Sequence, residues 1–198
     1  MSTDSRASMV RSAASLIRSR GVSATSLSDV LADSGAPRGS IYHHFPDGKA
    51  QLAEDAIRWT SERLLAHLRA GAPTGPSVVL ERFIAIWRRT VVASAGSAGC
   101  VVAGVAIDTV PGEKDLMAVV RATFRSWVAV LGEQLEAAGV PSRRAMPIAL
   151  AALAAMEGAL ILCRAEGNVR PLDAVAEELM RLLPMERPDR RKRPVHSS

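Results

Sequence analysis

Aromatic residues are scarce in this chain: one tyrosine, three phenylalanines and three tryptophans among 198 residues. Strands favour β-branched and aromatic residues, whereas alanine and leucine favour helices. With alanine, leucine and valine dominant, the composition predicts helices rather than sheets. Two cysteines, Cys100 and Cys163, are too few for a disulfide framework. Both sit in apolar stretches and read as small buried hydrophobes. An N-terminal apolar run is also missing: Asp4, Arg6 and Arg11 fall where a signal peptide would carry its hydrophobic region, so a cytoplasmic protein is expected. Residues 145–163 nearly lack charge, but they are alanine-rich and hold Pro147 and Glu157. They read as a buried helix rather than a membrane span. The sequence also lacks a nucleophile–base spacing, a metal-ligand cluster and a phosphate loop, so neither an enzyme nor a cofactor is expected.

What the chain does have is apolar mass and positive charge. Hydrophobic residues make up 48% of it, enough for a sizeable core in one generous domain or two that share helices. The net charge of +5 points towards nucleic acid, yet much of it is local. From Glu186 onward, Arg187, Arg190, Arg191, Lys192 and Arg193 outweigh Glu186 and Asp189, and this tail nets about +3. Bulk charge on the remainder is therefore weak evidence for DNA binding.

Apolar residues recur at helical spacing along most of the chain. Met9, Val10, Ala13, Ala14, Leu16 and Ile17 predict a first helix over about residues 5–20, stopped by Gly21. Ser26 and Asp29 read as a capping box that opens a short helix to Ser34, with Gly35 as a left-handed C-cap. Pro37 suits the first turn of a third helix ending at Phe45-Pro46, and Asp47 is placed to cap a fourth helix reaching Leu68. After the break Gly71-Ala72-Pro73-Thr74-Gly75-Pro76, helices are expected over about 77–94, 100–109, 113–138, 142–165 and 171–183. The tail after Pro184 reads as disordered. The expected organisation is a head over 1–48, a helical body over 49–184 and a basic tail over 185–198.

Two short helices with a tight glycine-containing turn make a helix-turn-helix. On a wheel of roughly 100° per residue, Ile41 and Phe45 share one face and suit a core. Gly39 and His43 fall opposite, flanked by Ser40 and Tyr42. Gly39 costs roughly 1 kcal/mol of helix propensity relative to alanine, and a bare backbone there admits a phosphate or a base edge. Recognition helices read the major groove in this way. Arg38 stands where a long side chain reaches a phosphate. Each residue also has a plainer reading: a rim aromatic for Tyr42, a solvated surface group for His43 and Arg38, and a packing role for His44.

At these residues the chain resembles the TetR family of transcription regulators, over about residues 7–52. The run Pro37-Arg38-Gly39-Ser40-Ile41-Tyr42-His43-His44-Phe45-Pro46, with Gly48-Lys49, looks like the LmrA/YxaF-like branch. Gly99-Cys100 and Glu157-Gly158-Ala159 are similar to that branch as well. The resemblance implies an all-α protein: an N-terminal three-helix head and a C-terminal helical domain that binds ligand and dimerises. It implies that Ser26 caps its helix and holds a phosphate, that Ser40 and Tyr42 meet phosphates or base edges, and that His43 and His44 lie along the DNA backbone. Gly39 would allow close approach, and Lys49 would meet a phosphate at a helix start. The chain departs from the pattern in three places. Ser28 stands where the family often has a base-reading arginine, Pro37 replaces the usual serine cap, and Gly48 lengthens the spacing from Phe45 to Lys49.

The resemblance further implies a ligand pocket in the body. Phe83, Trp87, Cys100, Met117, Phe124, Trp127 and Met156 are its candidate lining, with Asp108 and Glu157 as polar anchors. The plain alternative for the apolar members is ordinary core, and for Glu157 a partner within the protein. The last two helices would pair with their twins in a homodimer. The partners expected are near-palindromic double-stranded DNA, a small lipophilic effector and a second copy, with no membrane. The rival reading is a helical small-molecule-binding or scaffold protein without operator binding.

Overall fold

The computed structural model describes residues 2–109 and 114–184. Among these, every regular element is an α-helix. In order they are α1 (Ser2–Arg20), α2 (Leu27–Ser34), α3 (Ser40–His44), α4 (Gly48–Arg69), α5 (Pro76–Ala93), α6 (Val101–Asp108), α7 (Lys114–Ala137), α8 (Ser142–Glu166) and α9 (Arg170–Arg181). The all-α expectation holds, with body helices starting and ending close to where periodicity placed them. The basic tail expected from residue 185 lies outside the described residues.

Local chemistry fixes the first three helices. Ser26 Oγ accepts the Asp29 N–H at 3.1 Å, and the Asp29 carboxylate accepts the Ser26 N–H at 2.9 Å, so the capping box forms. Gly35 closes α2 with φ of 67°, a left-handed position that glycine adopts without a Cβ penalty. Two start signals act differently from expectation. Pro37 precedes α3 rather than joining its first turn: its carbonyl accepts the Ser40 N–H at 2.9 Å, and the helix begins at Ser40. Asp47 makes no side-chain cap on α4; its own N–H is instead satisfied by Gln51 Oε1 at 3.2 Å. A longer side chain one turn on thus reaches back to the residue before the helix, while the first-turn N–H groups receive no side-chain cap.

The head buries Met9, Ala13, Ala14 and Ile17 of α1 against Val30, Ile41, Phe45, Ala53 and Ile57. Phe45 is fully enclosed, with the Arg6 guanidinium 5.4 Å from its ring centre and Arg6 paired to Asp55 of α4 at 2.6 Å. That arrangement seats the short α3 on both neighbours. The body core runs through Leu80, Phe83, Trp87, Trp127, Leu131, Leu135 and Met156. Edge-to-face contacts link Phe83 to Trp87, Trp87 to Trp127 and Trp127 to Phe124, at 5.9, 6.0 and 5.7 Å.

α8 buries only one face. Ala145, Ile148, Ala149, Ala152, Met156, Ala159 and Cys163 pack inward, while Met146, Leu150, Ile161 and Leu162 are exposed. The helix expected to be buried is so along one face, while a second apolar face is uncovered in the single chain. α9 differs, burying Leu172 and Leu179 and turning Glu177, Glu178 and Arg181 outward.

Candidate nucleic-acid interface and body cavity

The outward surface of α3 follows from its anchor. With Ile41 1% and Phe45 0% exposed, the intervening Tyr42 and His43 must point away, and Tyr42 is 69% exposed. Arg38 and Gly39 precede them on the same exposed surface, and a Cβ at Gly39 would meet nothing within 4 Å. His44 is half-buried, its ring 5.1 Å from His43 and 6.4 Å from Phe45. Ser26 and Ser28 are exposed at the start of α2. Two hydroxyls already have work inside the head. Ser26 Oγ donates to Asp29 at 2.7 Å, and Ser40 Oγ donates to the Pro37 carbonyl at 2.6 Å. Each therefore keeps only acceptor capacity for a further partner. Lys49 Nζ donates to the Ser23 carbonyl at 3.1 Å, so its ammonium is held against the α1–α2 turn.

Behind the head lies a cavity of about 630 Å³ between α1, α4, α5, α7 and the start of α6. Trp59, Trp87 and Trp127 line it, together with Thr60, Leu64, Ile86, Thr90 and Cys100. So do Arg18, Arg63, His67 and Arg89. The Arg63 guanidinium stacks 4.9 Å from the Trp59 ring centre, and an Arg89 nitrogen lies 3.4 Å from His67 Nε2. Burial lowers the His67 pKa, with repulsion from Arg89 adding to it, which favours the neutral ring whose Nε2 accepts a hydrogen bond from an Arg89 N–H. Trp127 Nε1 donates to Ser61 at 2.9 Å, whereas buried Trp87 Nε1 has no partner.

The comparisons with known proteins agree with this geometry. Residues 10–56 match the bacterial regulatory proteins of the tetR family, and residues 76–178 match the LmrA/YxaF-like transcriptional regulator C-terminal domain. An uncharacterised HTH-type transcriptional regulator of Mycobacterium tuberculosis H37Rv is 37% identical over 93% of this chain and 97% of its own length. The chain belongs to the TetR family. Bacillus subtilis LmrA, also an HTH-type transcriptional regulator, is 28% identical over 85% of this chain and 91% of its own. A TetR-family regulator from Agrobacterium tumefaciens superposes with a TM-score of 0.77 at 27% identity, covering 93% of this chain and all of that one. As a TetR-family member, the protein is a DNA-binding transcriptional regulator.

Within this TetR-family body, the expected ligand-contacting residues scatter. Trp87, Cys100 and Trp127 do line the cavity. Phe124 and Glu157 line a different, shallower groove with Val128, Met146, Leu150 and Leu153 on the outer α7–α8 surface. Phe83 and Met156 are sealed in the core at 0% exposure, where packing leaves no room for a ligand. Met117 is half-buried and lines neither space. Asp108 faces the head: its Oδ2 accepts the Ser23 N–H at 3.2 Å, and a Cβ at Gly21, where φ is 85°, would collide with that carboxylate. Among the described residues Glu157 has no ion pair, and its buried Oε1 has no hydrogen-bond partner. Burial pushes its pKa up to about 7, with the neighbouring Cys100 thiol pulling the other way.

Sequence reasoning missed Arg18, Arg63, His67 and Arg89. One signal was available: Trp59, Arg63 and His67 recur at i, i+4 and i+8, an aromatic and cationic stripe on the body-facing helix α4. Arg18 carried no such mark, because it reads as the basic last turn of α1.

Proposed function

We propose that this protein is a repressor that binds a near-palindromic operator as a homodimer and leaves it when a small molecule enters the body cavity. The observation that carries the reading is the exposed α3 surface, small and hydrogen-bonding, held on the buried Ile41–Phe45 anchor. In this reading the head, residues 1–48, lays α3 in the major groove. Tyr42, Ser40, His43 and Gly39 meet base edges or phosphates. Arg38, His44, Ser26, Ser28 and Lys49 face the DNA backbone, Lys49 after leaving the Ser23 carbonyl. The body, residues 49–184, supplies the effector cavity and the dimer contact. The site of action is the cytoplasm.

The uncovered apolar face of α8 supports dimerisation. Leu150 is 59% and Ile161 63% exposed, a pattern that a second copy relieves. α8 supplies most of that face, and the polar outer side of α9 serves as its rim. Two α3 helices then read half-sites about 34 Å apart.

Two routes support coupling between cavity and head. α4 runs from beside α3 to the cavity, where it presents Trp59 and Leu64. A second route joins α1 to α6, through the Gly99 N–H on the Arg18 carbonyl at 2.8 Å and Asp108 on Ser23. α4 is therefore not the sole bridge between head and body. The test is footprinting on genomic DNA together with analytical ultracentrifugation. A protected site with dyad symmetry and a dimer at micromolar concentration are the expected results. A folded protein that protects no site would be a helical small-molecule-binding protein instead.

A further inference from the structure

We infer that the body cavity takes a planar aromatic carboxylate, its ring system between the tryptophans and its charge on Arg18, Arg63 and Arg89; this rests on the effector reading above. The cavity wall is one-sided in charge. It carries three arginines and a histidine, and among the described residues no aspartate or glutamate lines it. A cation taken out of water usually needs an acid or another acceptor beside it. Here the half-buried Arg18 has neither an ion pair nor a hydrogen bond from its guanidinium among the described residues.

The surroundings of Arg18 make that lack costly. Burial lowers its pKa first, and the Arg63 charge acts in the same direction. The adjacent Cys100 offers no countercharge, because burial pushes its thiol pKa well up and keeps the proton on. A bound anion supplies what the wall lacks. A carboxylate fits better than a point charge, since a guanidinium offers parallel N–H groups that two coplanar oxygens accept together.

The rest of the wall defines the body of the ligand. All three tryptophans of the chain line this one cavity, presenting flat, polarisable surface to a ring system. Trp87 Nε1–H, on a side chain only 4% exposed, is a buried donor without an acceptor. A volume of about 630 Å³ suits a molecule of two or three fused rings. A ligand of this class also reaches the head directly. Arg18 belongs to α1, while Arg63 and Arg89 belong to α4 and α5. A carboxylate held between them draws the end of α1 towards the body, at the residue whose carbonyl already accepts the Gly99 N–H.

The test uses the full chain and matched pairs of probes: benzoate, naphthoate and anthracene carboxylate, each beside its neutral carboxamide. Binding is read from tryptophan fluorescence, because each of the three indoles borders the cavity. For at least one pair the acid should bind about tenfold or more tightly than the amide, and added salt should narrow the gap. Arg18→Gln should bring the ratio of acid to amide affinity close to one. Arg89→Gln, at an exposed residue, provides the same readout if Arg18→Gln does not fold. Equal or tighter binding of the amides overturns the assignment of charge and leaves the effector cavity standing. A preference for acids that survives both substitutions overturns the role of the arginines. Absence of binding by every acid and every amide overturns the cavity as an effector site, and this inference with it.

Discussion

The head and the body solve the burial problem in opposite ways. In the head, apolar side chains point in and polar ones point out, as Ile41 and Phe45 do beneath Tyr42 and His43. The body reverses this twice. It gathers arginines around a half-open cavity, and it leaves Leu150, Ile161 and Leu162 of α8 facing outward. A head built in the ordinary way is complete as a monomer and needs DNA only to act. In the reading proposed above, an anion answers the arginines and a second apolar face covers α8.

The sharpest test of the head's independence is its anchor. Phe45→Ala should cost about 3–5 kcal/mol, the usual range for emptying a fully packed phenylalanine site. Because α4 is shared between the two regions, we expect a single thermal transition at a lower temperature rather than a separate melting of the head. A loss under about 1 kcal/mol would mean that α3 seats itself without Phe45, and the contrast drawn above would fail at its root.

The body's reversal is tested at Glu157. Its pKa rises from 4.5 to about 7 because burial penalises the carboxylate. A group that holds its proton more tightly in the folded state stabilises that state at low pH. The contribution is complete below about pH 4.5 and is lost as pH climbs through about 7. Glu157→Gln keeps the shape and cannot ionise. It should match the wild type near pH 4 and exceed it by about 3 kcal/mol well above pH 7, as read by denaturant unfolding across pH. Parallel curves would show that the wild-type carboxylate finds a partner, for instance across the dimer.

The two regions were also unequally legible from sequence. The head is governed by signals a few residues apart: Ser26 with Asp29, Gly35 after Ser34, Ile41 with Phe45. Such rules hold whatever surrounds them, so element types and the outward α3 surface could be read directly. Where they failed, a neighbour intervened, as Gln51 did for Asp47. The cavity is different in kind. Arg18, Arg63 and Arg89 lie on three helices and converge only after packing. Large apolar residues were expected to line it, yet Phe83 and Met156 are so well packed that they touch no space at all. Asp108 was a candidate anchor only through the ligand pocket that the family resemblance implies. Its true neighbour, Ser23, lies 85 residues away.

A smaller effect separates contact from support within the head. Tyr42 is exposed and carries none of the packing. Tyr42→Ala should weaken operator binding by about 1–3 kcal/mol in a mobility shift and leave the melting temperature where it is. Unchanged affinity would remove Tyr42 from the reading surface and shift the burden to Arg38 and His43.

The smallest effect expected lies at the seam between the two regions. Asp108 ends α6, and its carboxylate accepts the N–H of Ser23 in the turn just before the α2 cap. Lys49 holds the carbonyl of the same Ser23, so one residue of the head is gripped from both sides. Asp108→Ala removes a single partly exposed hydrogen bond, worth about 0.5–1.5 kcal/mol. It also leaves the core untouched, so the thermal midpoint should move only slightly. Operator affinity should fall by a comparable amount, about two- to tenfold, because the turn that positions Ser26 and α2 is then held from one side only. Amide exchange at Ser23 should speed up in the same variant. Affinity and exchange both at wild-type levels would show that α6 only rests against the head, leaving α4 and the Arg18–Gly99 contact to carry the coupling. A loss of several kcal/mol in stability would place Asp108 in the structural core of the interface, and the head and body would then be one folding unit rather than two regions in communication.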